Sequence, residues 1–347
     1  MRVTFLAVLI FSLGSAAVVV NLSQRMLIPV SAVTHQPISV GGELFENKLN
    51  GYMWKIDRGS SHGVVFKQLY NAGLVNSPDI VKIFARLLGQ TTVQAGTYWI
   101  EEGDTALSLL SKFYHGEVMI NKVTFPEGWN FSQWREHLSS ISQFSDSQRL
   151  SDQELLEVAG ITLDHPEGWF FPDTYNYTSI DKAPDILRRA HRQMQNVLKE
   201  EWIGRADGLP YEDAYEALIM ASIVEKETGL ARERAAIAGV FVKRLRRGMR
   251  LETDPTVIYG LGKEFDGNLR RSHLRQKTTY NTYVIRGLPP TPIAMPSRAA
   301  IQAALNPISA ESLYFVSKGD GSHFFSSSYE EHKKAVEKYQ LMKRPGK

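Results

Sequence analysis

The sequence predicts an α+β protein made of an N-terminal apolar helix, a small α/β subdomain and a larger, mainly helical domain closed by a C-terminal β-hairpin. Three observations predict it. Residues 3–20 are uncharged and predominantly apolar. Strand and turn signals alternate with short helical patterns around residues 77–113, and beyond Pro184 long segments carry apolar residues at helical spacing. A length of 347 residues with 43% hydrophobic content suits two globular parts. The boundaries that follow are 1–25 for an anchor, 26–40 for a linker, 41–120 for the subdomain and 121–347 for the large domain.

The first element is an address. Eighteen residues, 3–20, follow Arg2 and precede Arg25, a length close to the minimum for a spanning helix and long for a signal-peptide core. Ser15-Ala16-Ala17 also reads as a cleavage site, so a removed signal peptide stays open. Either way the rest of the chain is exported, which places the large domain outside the cytoplasmic membrane. Residues 26–40, interrupted by Pro29 and Pro37, read as extended linker.

Ser77-Pro78-Asp79 opens a helix with proline in its first turn, and Ile80, Ile83, Phe84, Leu87 and Leu88 recur at helical spacing up to Gly89. Gln94-Ala95-Gly96-Thr97-Tyr98-Trp99-Ile100 follows as a turn and strand, and Glu102-Gly103-Asp104-Thr105 as a turn and cap for a helix presenting Leu107, Leu110 and Phe113. The pattern Tyr98-x-Ile100-x-x-Gly103-Asp104-Thr105-x-x-x-Leu109 resembles part of the LysM carbohydrate-binding module. A strand and capped helix without a ligand explains it equally.

Pro126-Glu127-Gly128-Trp129 is echoed by Pro166-Glu167-Gly168-Trp169, the second continuing through Phe170, Phe171, Pro172, Asp173, Thr174 and Tyr175. Pro-Glu-Gly is turn chemistry. Trp169 and Tyr175, among polar neighbours, offer the stacking faces a sugar needs, or else form a structural aromatic cluster. Helices are predicted over 184–202, 211–228, 231–247 and 299–305. Asp254-Pro255 enters a short helix or strand, 280–296 with four prolines is loop, residues 313–325 form a hairpin, and a terminal helix starts at Tyr329.

Composition narrows the chemistry. A formal charge of +3 is too small to argue for nucleic acid, and the basic run Lys243, Arg244, Arg246, Arg247 and Arg250 reads as a solvated helix face. The absence of cysteine excludes disulfides and thiolate nucleophiles, and nine scattered histidines lack metal-ligand spacing. No metal and no cofactor are expected.

The apolar run 217–224 ends in Glu225-Lys226-Glu227-Thr228. A carboxyl at the end of a buried helix suffers desolvation and the negative end of the helix dipole, both of which favour its acid form and suit it to general acid catalysis. The plainer explanation is a helix surfacing. Glu225 shares a face with Leu218, Ala221 and Ser222, whose small members leave room for a ligand, while Glu227 lies over bulkier residues and is expected to pair with Arg232 or Arg234.

Four segments in order, Glu167 to Tyr175, Ala221 to Thr228, Asp254 to Gly260, and Tyr280 to Tyr283 with Gly287-Leu288-Pro289-Pro290, are similar to the YceG family of endolytic murein transglycosylases. That resemblance implies a lyase of the bacterial cell wall on the outer side of the cytoplasmic membrane. It would cleave the β-1,4 bond from N-acetylmuramic acid to N-acetylglucosamine in peptidoglycan strands, leave 1,6-anhydro ends and terminate strand elongation beside peptidoglycan synthases. The essential glutamate of the family falls on Glu225. Asn281, Thr282, Tyr283, Asp254 and Tyr259 are candidates for hydrogen bonds to substrate, with Glu167 beside them and Trp169 and Tyr175 for stacking. A hydrolase using a second carboxylate (Asp254, Glu167 or Glu227) and a non-catalytic wall-binding scaffold are the competing classes.

Overall fold

The computed structural model describes residues 24–30, 51–308 and 311–341. The predicted anchor at 3–20 and most of the linker lie outside the described residues, and no described helix is long and apolar enough to cross a membrane. The described chain mixes helices with two-stranded sheets and divides into two compact units. One ends at Lys122 and regains Asn176–Asp181; the other comprises Val123–Tyr175 and the chain from Lys182 onward.

In the first unit β1 (Gly51–Ile56) pairs antiparallel with β2 (Gly96–Glu101), Gly51 opposite Glu101 and Ile56 opposite Gly96. Between them run α1 (His62–Asn71) and α2 (Pro78–Leu87), and α3 (Ala106–His115) follows β2. The helix at Pro78 forms as predicted, with a different buried face. Ile80, Val81 and Ala85 point inward, whereas Ile83 and Leu87 are half or more exposed. Val81 and Ala85 lie one helical turn apart, and their smaller side chains are the ones that meet the neighbouring helices.

Every position of the Tyr98 to Leu109 pattern has an internal task. Tyr98, Ile100 and Leu109 are fully buried. The Asp104 carboxylate accepts bonds from the Glu101 N–H (2.9 Å), Ser108 hydroxyl (2.8 Å) and Lys112 ammonium (2.7 Å). Thr105 and Ser108 form a reciprocal capping box at the start of α3.

The second unit contains α4 (Phe131–Ser140), α5 (Asp152–Ala159), α6 (Ala183–Ile203), α7 (Ala214–Glu227), α8 (Ala231–Arg246), α9 (Asp254–Leu261), α10 (Arg298–Leu305) and α11 (Tyr329–Val336). The strands β3 (Asn121–Thr124) and β4 (Thr174–Tyr177) pair with each other, and the division between units falls inside both. The predicted hairpin is present as antiparallel β5 (Tyr314–Ser317) and β6 (His323–Ser326).

Helix α7 is the centre of this unit. All eight residues from Ala217 to Val224 are buried, and a helix apolar on every side is stable only when enclosed. It packs against α10, α8 and α6, with Ala300, Ala303 and Ala304 of α10 in the shared core. Its larger side chains, Leu218, Ile219, Met220, Ile223 and Val224, each contribute about 1.5–3 kcal/mol of transfer free energy. The asymmetry that matters for function is at the ends: Asp213 caps the N-terminus on the Glu216 N–H, and the C-terminus delivers Glu225 out of the core.

Candidate active site around Glu225

Glu225 sits in the last turn of α7 with its side chain only 6% exposed. Two segments converge on its carboxylate. Ser297, the N-cap of α10, donates its N–H to Oε2 (2.9 Å) and its hydroxyl to the same oxygen, while that hydroxyl also accepts the Ala300 N–H (3.2 Å). Arg234, one turn into α8, donates from Nη2 to Oε1 at 3.3 Å. Arg234 therefore serves Glu225 and not Glu227, which corrects the sequence expectation. The turn at Thr228–Gly229 folds α8 back so that its first turn faces the last turn of α7.

The space expected beneath Glu225 is filled. Ser222 uses its hydroxyl to accept the Ile293 N–H (3.0 Å) and to donate to Ile219 C=O (2.7 Å). The proline-rich loop thus lies on the small-residue face of α7, because buried backbone N–H groups need acceptors and Ser222 supplies one. From there the loop pairs with the first Pro-Glu-Gly-Trp turn, Gly128 N–H to Met295 C=O (2.9 Å) and Met295 N–H to Trp129 C=O (2.8 Å). That turn brings Gly128 beside Glu225: a Cβ placed on Gly128 would be 3.7 Å from Glu225 Cγ. Lys226 ties the turn down from the other side through Gly128 C=O (3.1 Å).

Glu127 completes the cluster. Its Oε2 is 3.8 Å from Arg234 Nη2, and its side chain is 54% exposed. Burial and the adjacent Glu225 charge push its carboxyl above the ordinary value, against the pull of Arg234. In the sequence Glu127 looks like turn chemistry, with the repeated tetrapeptide as its one signal, and nothing local marks Ser297.

The other candidates occupy separate networks, and the hydrogen bonds that Glu225 receives among the described residues come from Ser297 and Arg234. Asn281, a candidate for hydrogen bonds to substrate, is fully buried and spends its amide on the structure. Its Nδ2 donates to His273 C=O (3.1 Å) and Gln276 C=O (2.7 Å), and its Oδ1 accepts the Tyr283 N–H (3.0 Å). Thr282, also fully buried, accepts the Thr253 N–H (3.1 Å) and contacts the Thr256 hydroxyl (2.8 Å). Tyr283 donates its hydroxyl to the exposed Asp254 at 2.6 Å, and burial with that carboxylate raises the phenol above its usual value. Glu227 accepts the Thr253 hydroxyl, and burial pushes its carboxyl up to about 7.

Glu167 is 2% exposed. It accepts the Phe131 N–H on both oxygens (3.1 and 3.2 Å) and the Tyr259 hydroxyl (3.0 Å); burial nevertheless raises it to about 7. Trp169 stacks on Tyr215 with ring centroids 5.5 Å apart, and Tyr175 donates its hydroxyl to Phe171 C=O (2.6 Å). Among the described residues no group of acidic, histidine or cysteine side chains could hold a metal ion. What this arrangement offers chemically is a sheltered carboxyl in the last turn of α7 with the half-exposed Glu127 sharing its guanidinium partner.

Residues 54–338 match the YceG-like family, and the chain belongs to it. It is 29% identical over 302 residues to the endolytic murein transglycosylase of Bacillus subtilis (strain 168), covering 82% of this chain and 83% of that protein. The endolytic murein transglycosylase of Streptococcus pneumoniae (strain D39) is 24% identical over 347 residues, and the match spans 89% of this chain and 60% of the pneumococcal protein. The crystal structure of a YceG-like protein from Listeria monocytogenes superposes with a TM-score of 0.51 at 26% identity, covering 83% of this chain and 99% of that one.

Proposed function

We propose that the chain is an endolytic peptidoglycan lytic transglycosylase, a lyase that cuts the β-1,4 bond between N-acetylmuramic acid and N-acetylglucosamine within glycan strands. The observation that carries the mechanism is the sheltered carboxyl of Glu225, held by Ser297 and Arg234. In its acid form Glu225 gives its proton to the glycosidic oxygen. As carboxylate it then takes the proton of the muramic acid C6 hydroxyl, which attacks C1 of the same sugar. One carboxyl suffices because the nucleophile is intramolecular, and no water enters the product.

The hydrolase alternative required a second carboxylate from Asp254, Glu167 or Glu227. Glu167, 2% exposed and holding the Phe131 N–H and the Tyr259 hydroxyl, is closed to an attacking water, which argues against it. Of the substrate-binding candidates, Tyr283 and Asp254 as a pair, with Trp169 and Tyr175, remain part of the proposal, while Asn281, Thr282, Tyr259 and Glu167 would act by shaping the loops around the strand.

The same proposal places the chain at the cytoplasmic membrane through residues 3–20, with the site on the extracytoplasmic side, where it would meet nascent strands and their synthases. The apolar run supports the anchor, and a LysM-like contribution to strand binding would fall to exposed residues around the Tyr98 to Leu109 pattern, whose own side chains serve the fold. The deciding experiment is digestion of purified peptidoglycan by wild type and Glu225→Gln with mass analysis of the products. Anhydro-muramic ends from wild type, reduced at least about 100-fold in the variant, are expected for loss of a general acid–base group. Reducing ends, or an active variant, would overturn the proposal.

A further inference from the structure

Lytic transglycosylation asks one carboxyl to pass between acid and carboxylate in every turnover, so its surroundings must tolerate both forms. A guanidinium locked onto Glu225 alone would tolerate one. Arg234 is 12% exposed and its Nε is buried without a hydrogen-bond partner. Whenever Glu225 held its proton, a cation in that position would lose its compensating charge, which is costly away from water. Glu127 removes the difficulty. Its carboxylate lies 3.8 Å from the same Nη2 that reaches Glu225 at 3.3 Å. The turn that carries it is fixed by the paired bonds to Met295 and by Lys226.

We propose that Glu127 and Arg234 form a positioning pair for Glu225, the guanidinium being shared between the two carboxylates and leaning toward Glu127 whenever Glu225 is protonated. Neither residue gains or loses a proton in the cycle. The proton leaves Glu225 for the glycosidic oxygen, and a proton returns to Glu225 from the C6 hydroxyl. This assignment rests on the role given to Glu225 above. The charged groups facing Glu225 are Arg234 from α8, Glu127 from the turn before α4 and Lys226 from its own helix, the last engaged with Gly128 C=O; α10 contributes the uncharged Ser297.

The sign of each effect follows. Removing the Glu127 charge leaves Arg234 to Glu225 alone and favours the carboxylate, so the acid form is lost at lower pH. Removing Arg234 leaves two carboxyls facing each other and favours the acid form. In the double variant the two shifts oppose.

The test is kcat and KM on purified glycan strands from about pH 5 to 9 for wild type, Glu127→Gln, Glu127→Asp, Arg234→Gln and the double variant. Glu127→Gln is expected to move the alkaline limb of kcat down by about half a pH unit or more and to lower kcat near pH 7.5 about threefold, with KM within about twofold. Glu127→Asp should recover most of the loss, and the double variant should bring the limb back toward wild type. An unmoved limb in Glu127→Gln, or a loss confined to KM, would overturn the proposal and make Glu127 a substrate contact or a turn residue. Should Arg234→Gln fail to fold, the two Glu127 variants decide alone. Reducing ends from wild type, or activity in Glu225→Gln, would instead defeat the underlying function.

Discussion

The two Pro-Glu-Gly-Trp turns are the same four residues put to opposite uses. Both glycines hold positive φ, 74° at Gly128 and 83° at Gly168, so the local backbone is shared. Both tryptophans set their rings against a histidine edge-on, Trp129 on His137 at 5.4 Å and Trp169 on His191 at 5.8 Å. The glutamates part company. Glu127 is more than half exposed and leans toward the site, whereas Glu167 is buried and accepts the Phe131 N–H at the start of α4, the helix that follows the first turn. One turn presents a charge; the other uses a carboxyl as a cap that holds the first in place. Turn geometry is local, while the chemistry of a side chain depends on what other segments bring to it.

The largest effect that would break this comparison concerns the glycines. A Cβ at Gly168 would fall 2.4 Å from Pro292 Cγ, while one at Gly128 meets nothing nearer than 3.7 Å. Gly168→Ala should cost about 3 kcal/mol from overpacking plus the positive φ, and Gly128→Ala about 1 kcal/mol from φ alone. Urea unfolding midpoints of the two variants give the difference, and equal losses would mean the turns are held alike.

Next in size is a pH effect. Glu167 is raised to about 7 in the fold against an ordinary value near 4.3. The folded state therefore holds this proton more tightly between those values, so the contribution of Glu167 to stability is fully present below about pH 4 and falls as pH rises toward 7. Glu227, likewise raised to about 7, adds to the slope. Glu167→Gln should remove roughly half of the decline, about 3 kcal/mol, whereas Glu127→Gln should leave the stability curve within about 0.5 kcal/mol of wild type because its carboxyl reaches water. Stability measured at intervals across that range decides it, and identical slopes in the two variants would erase the distinction.

The smallest is Tyr259→Phe, which takes one donor from Glu167. A loss of about 1 kcal/mol is expected, larger above pH 7 than below pH 5 because the hydroxyl favours the ionised form. A loss that is the same at both pH values would show the hydroxyl to be bonded elsewhere.

What the sequence determined by itself is what neighbouring residues control. The spacing of apolar residues sets α6, α7 and α8. Pro78 and Pro255 stand in the first turns of α2 and α9, and the Gly-rich turn at 319–321 closes the hairpin. The prominence of Glu225 was legible too, because an abrupt end to an apolar helix needs no partner to be noticed. Other features depended on segments far away in the chain. Ser297 meets Glu225 across 72 positions and Ile293 meets Ser222 across 71. Arg234 had two glutamates within reach of its helix and took the one that the turn of the chain presented. Asn281 looked free on a loop and proved to be the brace of that loop. Periodicity records which face of a helix is buried, but a polar group takes whichever partner the packed structure leaves within about 3 Å, and that choice exists only after the segments have met.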